Sequence, residues 1–255
     1  MKLSDNDASL RAGNHNSLKT VFFIVAVSAF SALVGPSRIM AAEEDGVALG
    51  IIYDTSGSMR ELVPDSAGKA SQKYVIANRA LIEIASQVRA FATRKDSATP
   101  RKIDAGLFVF EGQGAREAVR FGPFNAAAFE TFAKTFSNPN GNTPLGNALA
   151  AAGRAVLDSS LPHKHVLVIT DGLNTAGPSP ASVMEKLRQQ AQEKQCSLSI
   201  HFVAFDVDAK VFEPLKKRGA TVVGAANENQ LTTQLQYILQ RKILLEEEEL
   251  PKKKD

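Results

Sequence analysis

Asp54-Thr55-Ser56-Gly57-Ser58 puts one carboxylate and the two serine hydroxyls on a short glycine-containing turn. Oxygen donors at that spacing suit a hard divalent cation such as Mg²⁺. Two distant segments add to the set. Gly141-Asn142-Thr143-Pro144-Leu145 offers a hydroxyl at a helix start, and His165-Val166-Leu167-Val168-Ile169-Thr170 delivers Asp171-Gly172.

Both aspartates follow apolar runs. Val47 to Tyr53 reads as a buried strand that ends at Asp54, and His165 to Thr170 as another that ends at Asp171. In an open α/β sheet the carboxyl ends of the strands are where ligands bind. The order and separation of the three segments, over residues 46–243, resemble the von Willebrand factor type A domain family and its metal-ion-dependent adhesion site. That resemblance implies Asp54, Ser56, Ser58, Thr143 and Asp171 as metal ligands. It implies a divalent cation, Mg²⁺ first, with Mn²⁺ or Ca²⁺ as alternatives. It also implies a protein partner whose Asp or Glu side chain completes the coordination shell. Loops 60–70, 111–115, 138–142 and 172–178 would form the rim, with Arg60, Glu61 and Asn174 as partner-binding candidates; ordinary solvated loop residues are the simpler reading of each. The family further implies a shift of the C-terminal helix, here about Glu228 to Leu245, against which a fixed packing helix is the favoured reading.

The elements needed to position these groups are legible from periodicity. Strands and helices alternate, which predicts an α/β fold: a doubly wound, mostly parallel six-stranded sheet with helices on both faces. Ile76, Ala80, Ile84, Val88 and Phe91 recur at helical spacing within 71–93. Strands are expected at 103–110, 116–121, 198–205 and 220–223, and residues 60–70 as a loop. Phe129, Phe132, Ala133 and Phe136 mark one helix face. Leu145, Ala148, Leu149, Ala152 and Val156 mark another, with Thr143-Pro144 as its start. Thr143 can cap that helix, ligate metal, or do both. Ser179-Pro180 opens a further helix, 209–218 reads as a short one, and Asn227 caps the last.

Composition narrows the class. The chain has 255 residues and a formal charge of +3, with 30 basic against 27 acidic residues. That balance, without a basic stripe, gives no support for nucleic-acid binding. Val21 to Val34 is apolar, follows Lys19 and precedes Gly35-Pro36. It is shorter than the ~20 residues of a membrane-spanning helix and resembles the core of a secretory signal. Residues 1–41 are therefore expected to be a signal peptide cleaved after Ala41, or an uncleaved anchor that would be the only link to a membrane. Either predicts an exported protein: periplasmic, cell-envelope or secreted. The single cysteine, Cys196, is expected to be a small buried residue. Residues 246–255, EEEELPKKKD, read as a charged disordered tail.

Two other readings remain open. A structural metal would use the same ligands without an acidic partner. A hydrolase would need an activated serine, or phosphoryl chemistry through Asp54. No G-x-S-x-G elbow or phosphate-binding loop is present, and Ser56 stands where a second carboxylate would be wanted. His163 and His165 are expected to be solvated at a strand start.

Overall fold

The computed structural model describes residues 46–93 and 101–244. The expected leader, 1–41, and the charged tail, 246–255, lie outside the described residues. The central strand, β1 (Gly46–Tyr53), is buried along its whole length. Its side chains alternate: Val47, Leu49, Ile51 and Tyr53 join one apolar core, while Ala48 and Ile52 join the other. A strand covered on both faces has to be apolar on both, which is why its sequence shows a continuous run.

Six strands form one sheet. β4 (Lys102–Glu111) lies on one side of β1 and β6 (His163–Thr170) on the other, both parallel to it. β7 (Leu198–Phe205) and β8 (Thr221–Ala225) continue in parallel beyond β6. β5 (Gly114–Pro123) is the antiparallel edge, turned back from β4 at Gly112, whose φ of +60° suits glycine. The sheet order is β5-β4-β1-β6-β7-β8. The chain thus reverses its direction of build at β1, and such a switch point opens a crevice at the carboxyl ends of its neighbours.

Helices cover both faces. α1 (Lys73–Ala92), α2 (Ala126–Thr135) and α6 (Glu228–Ile238) pack on one core; α3 (Leu145–Asp158), α4 (Pro180–Glu193) and the short α5 (Glu213–Lys216) pack on the other. Ser179 and Asn227 cap α4 and α6, accepting from the backbone N–H groups of Ser182 and Gln230. A π-helical turn, Leu239–Leu244, extends α6 and buries Ile243 and Leu244.

Three expectations need correction. Residues 60–70 are not simply a loop, because β2 (Leu62–Pro64) and β3 (Ala70–Gln72) pair as a small antiparallel hairpin. Asp65 closes its turn by accepting from the N–H groups of Ala67 and Lys69. His165 is not solvated: it lies on an inner face of β6, 3.3 Å from His201 of β7 through ring nitrogens, and both are buried. Cys196 is only half-buried, just before β7.

Glu228 anchors the start of α6. Its carboxylate accepts from Arg79 Nε at 2.6 Å and Nη2 at 2.9 Å, and from the Ser66 N–H at 2.7 Å. The Arg79 bonds hold the Glu228 pKa below the usual glutamate range. Its contribution is therefore present above the ordinary glutamate pKa and is lost as pH falls through the depressed value. Glu228→Gln is expected to cost about 1–2 kcal/mol at pH 7, partial exposure of Arg79 limiting the effect. Urea denaturation at pH 7 and pH 4 should show the deficit shrinking at the lower pH.

Candidate metal centre

Register brings the first residues together. Tyr53 of β1 pairs with Ile169 of β6, so the chain leaves both strands side by side. The Asp54 N–H donates to the Ile169 carbonyl at 3.1 Å. Thr170 Oγ1 then donates to Asp54 Oδ2 at 2.6 Å, and the Ser56 N–H to Asp54 Oδ1 at 2.8 Å. Beyond Ser56 the chain enters a 3-10 turn, Gly57–Arg60. That turn carries Ser58 Oγ to 3.0 Å from Ser56 Oγ and lets it donate to Asp171 Oδ1 at 2.8 Å. Asp54, Ser56 and Asp171 are buried. Hydrogen bonds thus link Asp54, Ser56, Ser58 and Asp171 across more than a hundred residues of sequence.

Thr143 arrives by another route. Its N–H donates to Thr175 Oγ1 at 2.8 Å, and its carbonyl accepts from the Thr175 N–H at 3.0 Å. A Cβ on Gly172 would stand 3.7 Å from Thr143 Oγ1, so the hydroxyl lies beside the Asp171-Gly172 step. Thr143 does not cap α3. Pro144 holds the N-cap position without a side-chain bond, and Asn174 Oδ1 accepts from the Gly146 N–H at 3.0 Å instead. The Thr143 hydroxyl is thereby left for other use.

The three rim candidates all have internal partners. Arg60 Nε donates to the Pro139 carbonyl at 2.6 Å, Glu61 accepts from Lys73 Nζ at 2.6 Å, and Asn174 serves α3. The surrounding loops are stitched to the turn. The Gly57 N–H donates to the Gly141 carbonyl at 3.2 Å, and the Asn140 N–H to that of Thr55 at 2.8 Å. Thr55 Oγ1 exchanges hydrogen bonds with the Phe110 backbone at the end of β4.

Burial and the neighbouring Asp171 charge raise the Asp54 pKa to about 6, against the pull of hydrogen bonds from Ser56 and Thr170. Lys73, the first residue of α1, is just 2 % exposed. Burial lowers its pKa, but Glu61, Asp206 and Asp171 outweigh that and raise it. Lys73, Asp206 and Thr170 were not among the residues expected at the site. Lys73 could have been noticed, because it lies on the same helical stripe as Ile76 and Ala80.

Among the described residues no group of three His, Cys, Asp or Glu side chains is arranged to hold a metal ion. A cation here would draw on hydroxyls as well as carboxylates. The donor set, two carboxylates with serine and threonine hydroxyls, is all oxygen and fits Mg²⁺ or Mn²⁺ rather than a thiolate-seeking metal.

No protein-family model matches the chain, and no curated protein matches it in sequence. Its fold is that of the von Willebrand factor A domain. It is similar to the PilB minor pilin from Streptococcus sanguinis, with 13% identity, 76% of this chain and 60% of that one covered, and a TM-score of 0.56. Proximal thread matrix protein 1 from the mussel byssus, with a zinc-occupied MIDAS motif, shows 15% identity over 77% of this chain and 48% of that one, TM-score 0.55. The von Willebrand domain of the type V pili tip protein Mfa5 from Porphyromonas gingivalis shows 13% identity over 77% and 95%, TM-score 0.54. The chain therefore spans about half to three fifths of the first two structures and nearly all of the third. At these identities the likeness concerns the fold.

Proposed function

We propose that this chain is an exported, divalent-cation-dependent protein-binding domain. Asp54, Ser56, Ser58, Thr143 and Asp171 would hold the cation, and the partner would contribute an Asp or Glu carboxylate. The observation that carries this reading is the convergence of two buried aspartates and two serine hydroxyls at the carboxyl ends of β1 and β6. The ion supplies a Lewis-acidic centre for the partner's carboxylate; the chain's own residues orient it and keep water from the inner side. With only two carboxylates in the set, the ion's charge is not overbalanced, which favours an outside anion.

The rim supports a protein partner. Leu62 and Leu173, 63% and 53% exposed, are two of three exposed large apolar residues among those described. Leu173 follows Asp171 closely, and Leu62 adjoins Glu61. Aliphatic contacts around a charged anchor suit an acidic residue flanked by apolar ones. The similarity to a minor pilin, a pilus tip domain and a byssal matrix protein agrees with an adhesive role outside the cytoplasm. Among the described residues no helix is long and apolar enough to cross a membrane.

Hydrolysis fits less well. His165 and His201 lie about five and three residues down the strands from Thr170, roughly 10–16 Å below its level along the strand axis, while the serines follow the strand end. Neither can serve Ser56 or Ser58 as a base at hydrogen-bond range.

Titration calorimetry with MgCl₂ and MnCl₂ is expected to show one site in the wild type. Thr143→Ala should weaken uptake about ten-fold or more while leaving the chelated domain's melting temperature within about 2 °C, since it removes one hydroxyl and no charge. Capture of a partner from envelope or extracellular extracts should require the cation and be lost on chelation. Absence of divalent uptake by the folded wild type would overturn the reading. A collapse of melting temperature on chelation, without metal-dependent capture, would favour a structural ion.

A further inference from the structure

Lys73 sits where a positive charge has no local reason to be. It opens α1, and the N-terminal end of a helix repels a cation. It is buried, and an unpaired buried ammonium would lose its proton or refuse to fold. The structure surrounds it with acids from three separate segments. Nζ lies 2.6 Å from Glu61 Oε2, 3.1 Å from Asp171 Oδ2 and 2.9 Å from Asp206 Oδ2. These three contacts match the three N–H bonds of an ammonium.

The acids are brought in deliberately. Glu61 follows the 3-10 turn that bears Ser58, and its carbonyl also accepts from the Lys73 N–H at 2.9 Å. Asp206 follows β7 with φ +55°, a left-handed conformation that is uncommon outside glycine, asparagine and aspartate. Asp171 divides its two oxygens: Oδ1 accepts from Ser58 and Oδ2 from Lys73. One carboxylate of the proposed cation site is thus already paired with a cation that belongs to the chain.

We infer that Lys73 is an internal counter-ion of the site: it keeps the acidic cluster assembled without metal and lowers the site's affinity for divalent cations. This inference rests on the proposed metal reading of Asp54 and Asp171. Lys73 is a positioning residue, since it acts on the ion through Asp171 and through its own charge. Fixed positive charge this close opposes a second cation. The site is thereby set to fill at higher cation concentration than its carboxylates alone would require.

The test is calorimetric titration of the full chain with MgCl₂ alone, beside thermal denaturation in chelator. Lys73→Met should melt lower than wild type in chelator, because three carboxylates lose their common partner. It should bind Mg²⁺ roughly ten-fold or more tightly, and Mg²⁺ should raise its melting temperature further than it does the wild type's. Lys73→Gln removes the same charge but keeps a hydrogen-bond donor among the three carboxylates, and should also bind Mg²⁺ more tightly than wild type; it decides the matter if Lys73→Met does not fold in chelator. Equal or weaker Mg²⁺ affinity in Lys73→Met overturns the inference and leaves the metal site standing. So does equal or weaker affinity in Lys73→Gln where Lys73→Met fails to fold. Mg²⁺ uptake by Lys73→Met but not by wild type upholds the inference and overturns the proposed function. Uptake by neither overturns both.

Discussion

Asp54→Asn should make the metal-free domain more stable than wild type and at the same time abolish divalent uptake. The two effects have one cause. Asp54 has no solvent exposure, and burial together with the Asp171 charge raises its pKa from 3.8 to about 6. In the unfolded chain it titrates near 3.9. Between those values the folded state binds more protons than the unfolded one, so stability rises as pH falls from about 7 towards 4. At neutral pH and above, the buried charge costs up to about 3 kcal/mol.

Asparagine keeps the shape and most of the bonding. Its carbonyl oxygen can accept from the Ser56 N–H, and its amide can donate to Thr170 Oγ1, which has the Gly172 carbonyl 3.3 Å away as an alternative acceptor. The substitution therefore removes charge without leaving a bare polar group. A gain of about 1–3 kcal/mol, several degrees in melting temperature, is expected in chelator at pH 7.5. The pH slope of wild type between 7 and 5 should flatten in the variant. Saturating Mg²⁺ should raise the wild type and leave Asp54→Asn unmoved. A variant less stable than wild type in chelator would show that the Asp54 charge is already compensated within the protein. Retained Mg²⁺ uptake would remove Asp54 from the ligand set.

The parts legible in the sequence are those with one dominant physical cause. β1 announces itself because a strand buried on both faces must be apolar at every position, and Asp54 marks where that requirement stops. β7 has the expected bounds, 198–205, because its second half, Phe202 to Phe205, is again apolar and buried on both faces. Ser179-Pro180 and Asn227 set helix starts through short-range capping, which needs no tertiary partner to be read. What was not legible depends on partners far away in the chain. The β2–β3 hairpin has three-residue strands with an exposed Leu62, too short for alternation to signal, and is held by the Asp65 side chain. Thr143 looks like a cap by local rules; a residue 31 positions later, Asn174, takes the bond near the start of α3 instead. Lys73 reads as a polar interruption of an apolar stripe, and becomes intelligible only when Glu61, Asp171 and Asp206 gather around it. His165 looked like a surface residue because a buried imidazole pair across β6 and β7 leaves no periodic trace.

Gly146→Ala should be the most damaging single methyl in the domain, and it should weaken the cation site from a distance. Gly146 lies in the first turn of α3, where an added Cβ would land on the Pro178 carbonyl oxygen and 2.9 Å from its carbon. Both are backbone atoms, so the neighbour can yield only if loop 172–178 moves. That loop carries Thr175, whose two bonds fix Thr143, and Asn174, which accepts from the Gly146 N–H. Alanine gains about 1 kcal/mol over glycine in a helix interior, but overpacking against rigid backbone costs about 1–3 kcal/mol and occasionally more. The clash should win, with a net loss of up to about 2 kcal/mol. Gly153→Ala on the same helix is the control. Its Cβ would meet side-chain atoms of the buried Leu187 rather than backbone, so adjustment of that side chain and helix propensity should offset part of the cost and leave loop 172–178 in place. Denaturation curves should separate the two variants. Calorimetry should show weakened Mg²⁺ uptake in Gly146→Ala and wild-type uptake in Gly153→Ala. Wild-type affinity in a destabilised Gly146→Ala would mean that Thr143 is held independently of this loop, or that it does not touch the ion.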